Sequence, residues 1–311
     1  MGATSGSVLV IGIDPGVPRA EATAAFSVLR LDGTGAIGLA RRSESLRKPE
    51  LATLLRDDPL LGDEHLRLAA VNAPLTPARL ERKPLRARKV EIRLSRGAFA
   101  GSVRGPHPTW ISAGRSGWLR YLEAAQLLDV LRERGLPLLA MPPAPPDGVA
   151  PELPARCTVE VFAKVTLAVL APRRPLEGRP TSDEFMGQID DWLFPRLFLP
   201  ETPGGRAPIE DVLETQAPGL HFAPETLLEA ERITRLRRPS PRREPLRAFV
   251  AAFQGILALA GGAALVGAEG DTEGYYVMPA AWHPDWEEEW SHQRPKDPQV
   301  RRVEIPSQLD R

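Results

Sequence analysis

Only one of the 311 residues is a cysteine, Cys157. A single thiol excludes an intrachain disulfide and any cysteine-based zinc site, and it suits a reducing compartment. An excess of charge of one sign is also missing, since 40 basic residues balance 40 acidic ones. Bulk charge therefore draws the chain to neither nucleic acid nor membrane, and any such attraction has to be local. No apolar run approaches the roughly 20 residues that a membrane-spanning helix needs. The opening Met1-Gly-Ala-Thr-Ser-Gly-Ser7 has neither the basic nor the apolar part of a secretory signal. A cytoplasmic protein with no membrane partner is the expectation; its oligomeric state is not encoded in any readable way. The five histidines show no paired ligand spacing, and no Gly-rich phosphate loop or nucleophile elbow occurs. Aromatic residues are scarce at 6%, whereas 33 prolines and 26 glycines predict many turns and irregular connections.

The most informative segment is Val8-Leu-Val-Ile-Gly-Ile-Asp14-Pro-Gly16. A continuous apolar run that stops at a Pro-Gly turn reads as a central strand buried on both faces. Asp14 falls where that strand emerges, and a carboxylate left unpaired there would be costly. It either caps the turn or holds a cation or does acid/base work, and its place at the end of a buried run favours function. Strand-like segments follow at Ala24 to Asp32 and Gly35 to Glu44, joined by the turn Asp32-Gly33-Thr34-Gly35. An acid-tipped strand followed by a meander is how a ribonuclease H-like fold begins.

Farther along, Lys48 to Arg56 is a short helical segment and Leu66 to Ala73 a buried strand stopped by Pro74. Arg79 to Arg104 is strongly basic, with nine Arg or Lys against Glu81 and Glu91. Gly117 to Arg134 predicts an amphipathic helix with Trp118, Leu122, Ala125, Leu128 and Leu131 on its apolar stripe and Gly135 as its C-cap. Leu136 to Met141 is a short strand candidate, and Pro142 to Gly148 a loop by composition. Thr158 to Phe162 alternates like a strand, with Glu160 pointing opposite to Val159 and Val161. Residues 172–243 read as a Pro- and Arg-rich insertion with one apolar helix near Ile189 to Leu199. Pro245 to Ala260 predicts a long helix. Its large residues (Leu246, Phe249, Val250, Phe253, Ile256, Leu257) cover one side, and Glu244, Arg247, Ala248, Ala251 and Gly255 line a side able to approach a backbone closely. Ala263 to Met278 predicts two short strands, and the tail from Pro295 a loose end. Trp282, Trp286 and Trp290 recur every four residues, a packing stripe before a ligand platform.

Four segments recur in a recognisable order: Ile13-Asp14-Pro-Gly, Val71-Asn72-Ala-Pro-Leu75, Val159-Glu160-Val-Phe and Glu244-Pro-Leu-Arg247-Ala-Phe-Val-Ala-Ala252. Together with Arg88-Lys-Val-Glu91 and Glu273-Gly-Tyr-Tyr-Val-Met-Pro279 they resemble domain-of-unknown-function family 429, predicted ribonuclease H-like nucleases, over about residues 8–280 apart from the insertion. Gly-Ile-Asp-Pro-Gly is also similar to the opening of Holliday-junction resolvases. The resemblance implies an α/β fold, a ribonuclease H-like mixed sheet flanked by helices with a mostly helical insertion. Residues 1–290 would be that domain, interrupted at 172–243, and residues 291–311 a C-terminal tail.

For function the resemblance implies metal-dependent cleavage of a phosphodiester, with Mg²⁺ or Mn²⁺ as cofactor and nucleic acid as partner. Several carboxylates must then converge around the cations. Asp14 and Glu160 would bind the metal, Asn72 and Glu244 would assist them at the catalytic site, and Glu91 is a further candidate. Arg82, Lys83, Arg86, Arg88, Lys89 and Arg93 would hold phosphates, with Arg96 beside them; a solvated charged face is the plainer alternative. Two positions depart from the family's usual pattern. Asn72 stands where an Asp is usual, and Arg247 stands where the last helix usually carries an acid. Asn72 removes a negative charge, and Arg247 would compete with a metal ion or pair with Glu244 on the helix surface. The site is thus either a one-metal nuclease centre or an inactive one, and the second alternative is a non-catalytic nucleic-acid-binding or protein-interaction module.

Overall fold

The computed structural model describes residues 6–16, 23–62, 65–75, 89–94, 116–139, 152–172, 189–202, 204–236, 243–268, 274–292 and 300–309. Its centre is a six-stranded mixed sheet in the order β5-β4-β1-β2-β3-β6. Strands β1 (Val8–Asp14), β2 (Thr23–Leu31) and β3 (Ala36–Arg47) form the antiparallel meander expected from the sequence. β4 (Leu66–Val71) joins the other edge of β1 in parallel, β5 (Cys157–Glu160) extends it in parallel, and β6 (His221–Phe222) makes a short parallel contact with β3.

Strand alternation divides the interior into two apolar clusters, one on each face. Leu9, Ile11, Ile13, Phe26, Val28, Ala69 and Val71 point to one face, covered by α1 (Lys48–Asp57) and α4 (Ser116–Glu133). Val10, Leu29, Leu31, Leu68 and Ala70 point to the other, covered by α5 (Ala163–Leu170) and α9 (Glu244–Leu259). Both faces are buried, which is why β1 reads as an unbroken apolar run. The small α2 (Pro59–Gly62) follows α1, and α3 (Lys89–Leu94) lies against the second sheet.

α9 does what its sequence predicts. Its small residues face the sheet so closely that a Cβ on Gly12 would sit under 3.0 Å from the Ala248 carbonyl oxygen and the Ala252 amide nitrogen. Its phenylalanines face outward, where α6 (Ile189–Phe198) supplies Phe194 and Phe198 to meet them. Phe198 sits edge-on to Phe249 at 5.5 Å and to Phe253 at 5.7 Å between centroids. The 172–243 region is therefore part of the main core. Beyond its one expected helix it holds α7 (Pro208–Gln216), β6 and α8 (Pro224–Arg235). α8 is tied to β3 through Glu229, whose carboxylate accepts from the Ser43 N–H at 2.7 Å and from Arg232, while Thr226 Oγ1 donates to the Ile37 carbonyl at 2.8 Å.

Other details differ from expectation. The inward residues of α4 are Ala124, Leu127, Val130 and Leu131; of the predicted stripe Leu131 is buried, Leu128 packs against the same core half-buried, and Leu122 is 40% exposed. Gly135, at φ 74°, does close that helix. Of the strand candidate Leu136 to Met141, the described residues 136–139 make a single bridge, from Leu138 to Thr158; the rest of it and the loop segment Pro142 to Gly148 lie outside the described residues. The tail is not loose throughout, because β9 (Val300–Glu304) pairs with β7 (Ala263–Ala268) in a three-stranded sheet ordered β8-β7-β9, where β8 is Tyr275–Pro279. The tryptophans do pack: in α10 (Pro284–Ser291) and its flanks, Trp286 Nε1 donates to the Ala171 carbonyl at 2.9 Å, and Trp282 lies 5.0 Å from Trp290 between ring centroids. No helix among the described residues is long and apolar enough to cross a membrane.

Cys157 opens β5 inside the core, where burial pushes its thiol up to about 12. Above the thiol's unfolded value near 9.0, burial of the neutral form costs stability progressively until pH passes about 12. Native protein at pH 8 is expected to react with a disulfide reagent about a thousandfold more slowly than the urea-unfolded chain. Stopped-flow release of the chromophore checks this, and equal rates would show the thiol to be reachable.

Candidate functional site

The carboxyl ends of β1, β4 and β5 lie side by side, the edge at which open α/β sheets gather functional groups. Register places the groups. Ile13 pairs with Val71 and Val71 with Glu160, so Asp14 and Asn72 leave the sheet as neighbours. The ladder continues just past the strands, with Asn72 N–H donating to the Ile13 carbonyl at 2.8 Å and Val161 N–H to the Val71 carbonyl at 3.0 Å.

Asp14 follows Val10 and Gly12 in strand parity, so its side chain projects to the α9 face, where it is fully buried at 0% exposure. Each of its oxygens has a protein donor. Oδ1 accepts from the Gly16 N–H at 2.8 Å, a turn that Gly16 closes with φ 72°. Oδ2 accepts from Asn72 Nδ2 at 3.0 Å and lies 3.9 Å from Arg247 Nη1, a side chain only 16% exposed in the first turns of α9.

Asn72 is turned nitrogen-first toward Asp14 for a definite reason. Its Oδ1 accepts from the Ala163 backbone N–H at 3.0 Å. A backbone N–H can only donate, so the amide oxygen must face it and the amide nitrogen must face Asp14. Ala163 is the first residue of α5, whose N-cap residue, Phe162, offers no capping side chain. Asn72 thus caps that helix from a neighbouring strand and steadies Asp14 with its other end.

Glu160 is not beside Asp14. It shares the parity of Val71, on the α1–α4 face, whereas Cys157, Val159 and Val161 belong to the α9 face. Its Oε2 accepts from the Leu75 N–H at 3.0 Å, and the residue is buried. Glu91, in α3, is also buried and accepts from the Tyr276 hydroxyl at 2.9 Å. Glu244 occupies the first turn of α9, one turn before Arg247, where a carboxylate suits the positive end of the helix. The residues expected to converge on a metal therefore divide between two faces of the sheet and a helix end, and Asp14 is met by Asn72 and Arg247.

Tested against a divalent cation, this donor set does not fit. Mg²⁺ and Mn²⁺ need several oxygens aimed at one point. Here the Asn72 oxygen is spent on Ala163, the two metal candidates leave opposite faces, and a guanidinium stands beside Asp14. Among the described residues no group of three or more His, Cys, Asp and Glu is arranged to hold a metal ion.

Of the residues expected to hold phosphates, Arg82, Lys83, Arg86 and Arg88 lie outside the described residues, as does Arg96. Lys89 is exposed at the start of α3. Arg93 turns inward, which corrects its expected role as a phosphate contact: it is buried, its Nη2 donates to the Trp290 carbonyl at 2.8 Å, and its guanidinium lies 4.9 Å from the Trp290 ring centre. Within the Arg-rich 172–243 region, Arg232 pairs with Glu229 and Arg235 with Glu231.

Sequence reading missed Lys164, which is buried in the first turn of α5. A lone lysine in the otherwise apolar run Ala163 to Leu170 was the available signal. It also missed Tyr276 and the α5 N-terminus, which are partners of Glu91 and Asn72 only because distant segments meet. No family model matches the chain, and neither the curated proteins nor the solved structures give a match.

Proposed function

We propose that this protein is a nucleic-acid-binding module on a ribonuclease H-like fold, one that holds its polyanion without cutting it. The strand order supports the fold reading: a three-stranded meander with two further strands added in parallel beside the first is the arrangement such a fold requires. One observation carries the functional reading, the closed chain from the Ala163 N–H through Asn72 to Asp14, completed by Arg247. Both oxygens of Asp14 and the amide oxygen of Asn72 already accept from donors of the protein.

Binding draws its chemistry from the basic run Arg79 to Arg104 in the sequence. Residues on either side of its most basic part are fixed to the body by the very acids expected to hold metal, Leu75 by Glu160 and α3 by Glu91. Five cations, Arg82, Lys83, Arg86, Arg88 and Lys89, are enough for a strongly salt-dependent contact.

The test is fluorescence anisotropy with labelled single-stranded, double-stranded and hybrid substrates, followed by incubation with Mn²⁺ and separation of products. Affinity is expected to fall roughly 10²–10³-fold between about 50 and 200 mM salt. Replacing the five cations by Ala should abolish binding, and no substrate should be cut. Manganese-dependent cleavage that disappears in Asp14→Asn would establish a metal nuclease instead. No binding to any of the three substrates would leave a protein-interaction module as the use of the fold.

A further inference from the structure

We propose that the guanidinium of Arg247 is the resident cation of this sheet edge, a positive charge built into the chain where a nuclease of this fold would recruit a divalent ion. The proposal rests on the fold reading above only for the kind of ion displaced. It does not depend on nucleic-acid binding.

Asp14 is fully buried at the end of β1. A fully buried carboxylate needs both hydrogen bonds and a compensating charge. Gly16 and Asn72 supply neutral donors, and the positive charge placed against Oδ2 is Arg247 Nη1 at 3.9 Å. The position of that guanidinium is set by the backbone. Gly12 lets α9 lie directly on β1 at Ala248 and Ala252, and this close seat brings the preceding residue, Arg247, over the end of the strand. Strand parity supplies the second departure: Glu160 leaves from the opposite face, so the carboxylate that would share an ion with Asp14 is directed elsewhere. Asn72 supplies the third, presenting an N–H where a ligand oxygen would have to be. Three departures from a cation site thus agree with one another, and each is satisfied by a partner within the chain.

Thermal unfolding with and without metal tests this. The wild-type melting temperature is expected to move by less than about 1 °C on adding millimolar Mg²⁺ or Mn²⁺, or a chelator. Arg247→Ala should melt about 5–10 °C lower, because it strands a buried carboxylate, and Arg247→Lys should recover more than half of that loss. The double variant Asn72→Asp/Arg247→Ala, which exchanges the built-in charge for a second carboxylate, should be stabilised by Mn²⁺ by several degrees, saturably, with the loss of free Mn²⁺ signal seen by electron paramagnetic resonance. If Arg247→Ala does not fold, Arg247→Gln against Arg247→Lys makes the same comparison of neutral with charged. Stabilisation of the wild type by Mn²⁺, or neutral variants that melt like the wild type, would overturn the proposal. Failure of wild-type protein to bind any nucleic acid would overturn the functional reading while leaving these melting curves unchanged.

Discussion

Gly12→Val is expected to yield no cooperatively folded protein, and Gly12→Ala to lose about 3 kcal/mol or more. Overpacking a filled core ordinarily costs about 1–3 kcal/mol because side chains can rotate away. At Gly12 the obstruction is main chain: a Cβ would lie under 3.0 Å from the Ala248 carbonyl oxygen, the Ala252 nitrogen and the Ala252 Cα. Helix α9 would have to lift from the central strand, and with it the whole small-residue face around Ala248, Ala252 and Gly255. Against a total stability of about 5–15 kcal/mol, one methyl group takes a large share and an isopropyl group exceeds what remains. Urea denaturation followed by circular dichroism checks this. Gly6→Ala is the control, since a Cβ there meets nothing within 4 Å and the midpoint should not move. A Gly12→Ala protein as stable as the control would mean that α9 does not sit where it is described.

Asn72→Leu is the second large effect, expected at about 3–5 kcal/mol. The side chains are similar in size, so little of the loss comes from packing. It comes from two stranded groups, the Ala163 N–H at the start of α5 and the Oδ2 of Asp14. A buried group left without its partner costs about 1–3 kcal/mol, and more when charged. Asn72→Asp separates the two contributions. It keeps an acceptor for Ala163 but sets a carboxylate against Asp14, so it should be less stable than wild type at neutral pH and recover as acid protonates one of the pair. Chemical denaturation at pH 5 and pH 8 gives both numbers. A pH-independent difference between Asn72→Asp and wild type would show that the two side chains do not face each other.

Much of this architecture can be read from the residues. β1 announces itself because both its faces are covered, and such strands carry no polar alternation. The seat of α9 is visible in Ala248, Ala251 and Gly255, since only small side chains let a helix lie that close. The meander follows from its turn. What could not be read depends on segments meeting from far apart. Alternation along Thr158 to Phe162 sets Glu160 opposite Val159 and Val161, yet whether that is Asp14's side of the sheet depends on the register of β5 on β4 and β4 on β1, which no local pattern carries. β9 escaped for a similar reason: five residues with two arginines have no signature as a strand until β7 is there to pair with them. The stripe of α4 was legible only in part because a helix with apolar residues on most sides fits several phases, and the packing against α1 and the sheet selects one. α7 and α8 hid within a Pro-rich composition whose prolines in fact start them.

The seat of α9 on β1 also sets a timetable for folding. β1 ends at Asp14 and the helix that covers one of its faces begins only at Glu244, so the ribosome releases the strand long before the helix that packs on it. During that interval β1 can pair with β2 and β3, but Val10 and Gly12 look onto no finished core. Such long-range closure makes for slow folding and a lengthy exposure of a flat apolar strand. The chain's greatest risk of aggregation therefore falls during its own synthesis, and a holding chaperone that occupies the bare face of β1 would improve yield without touching the finished protein's stability.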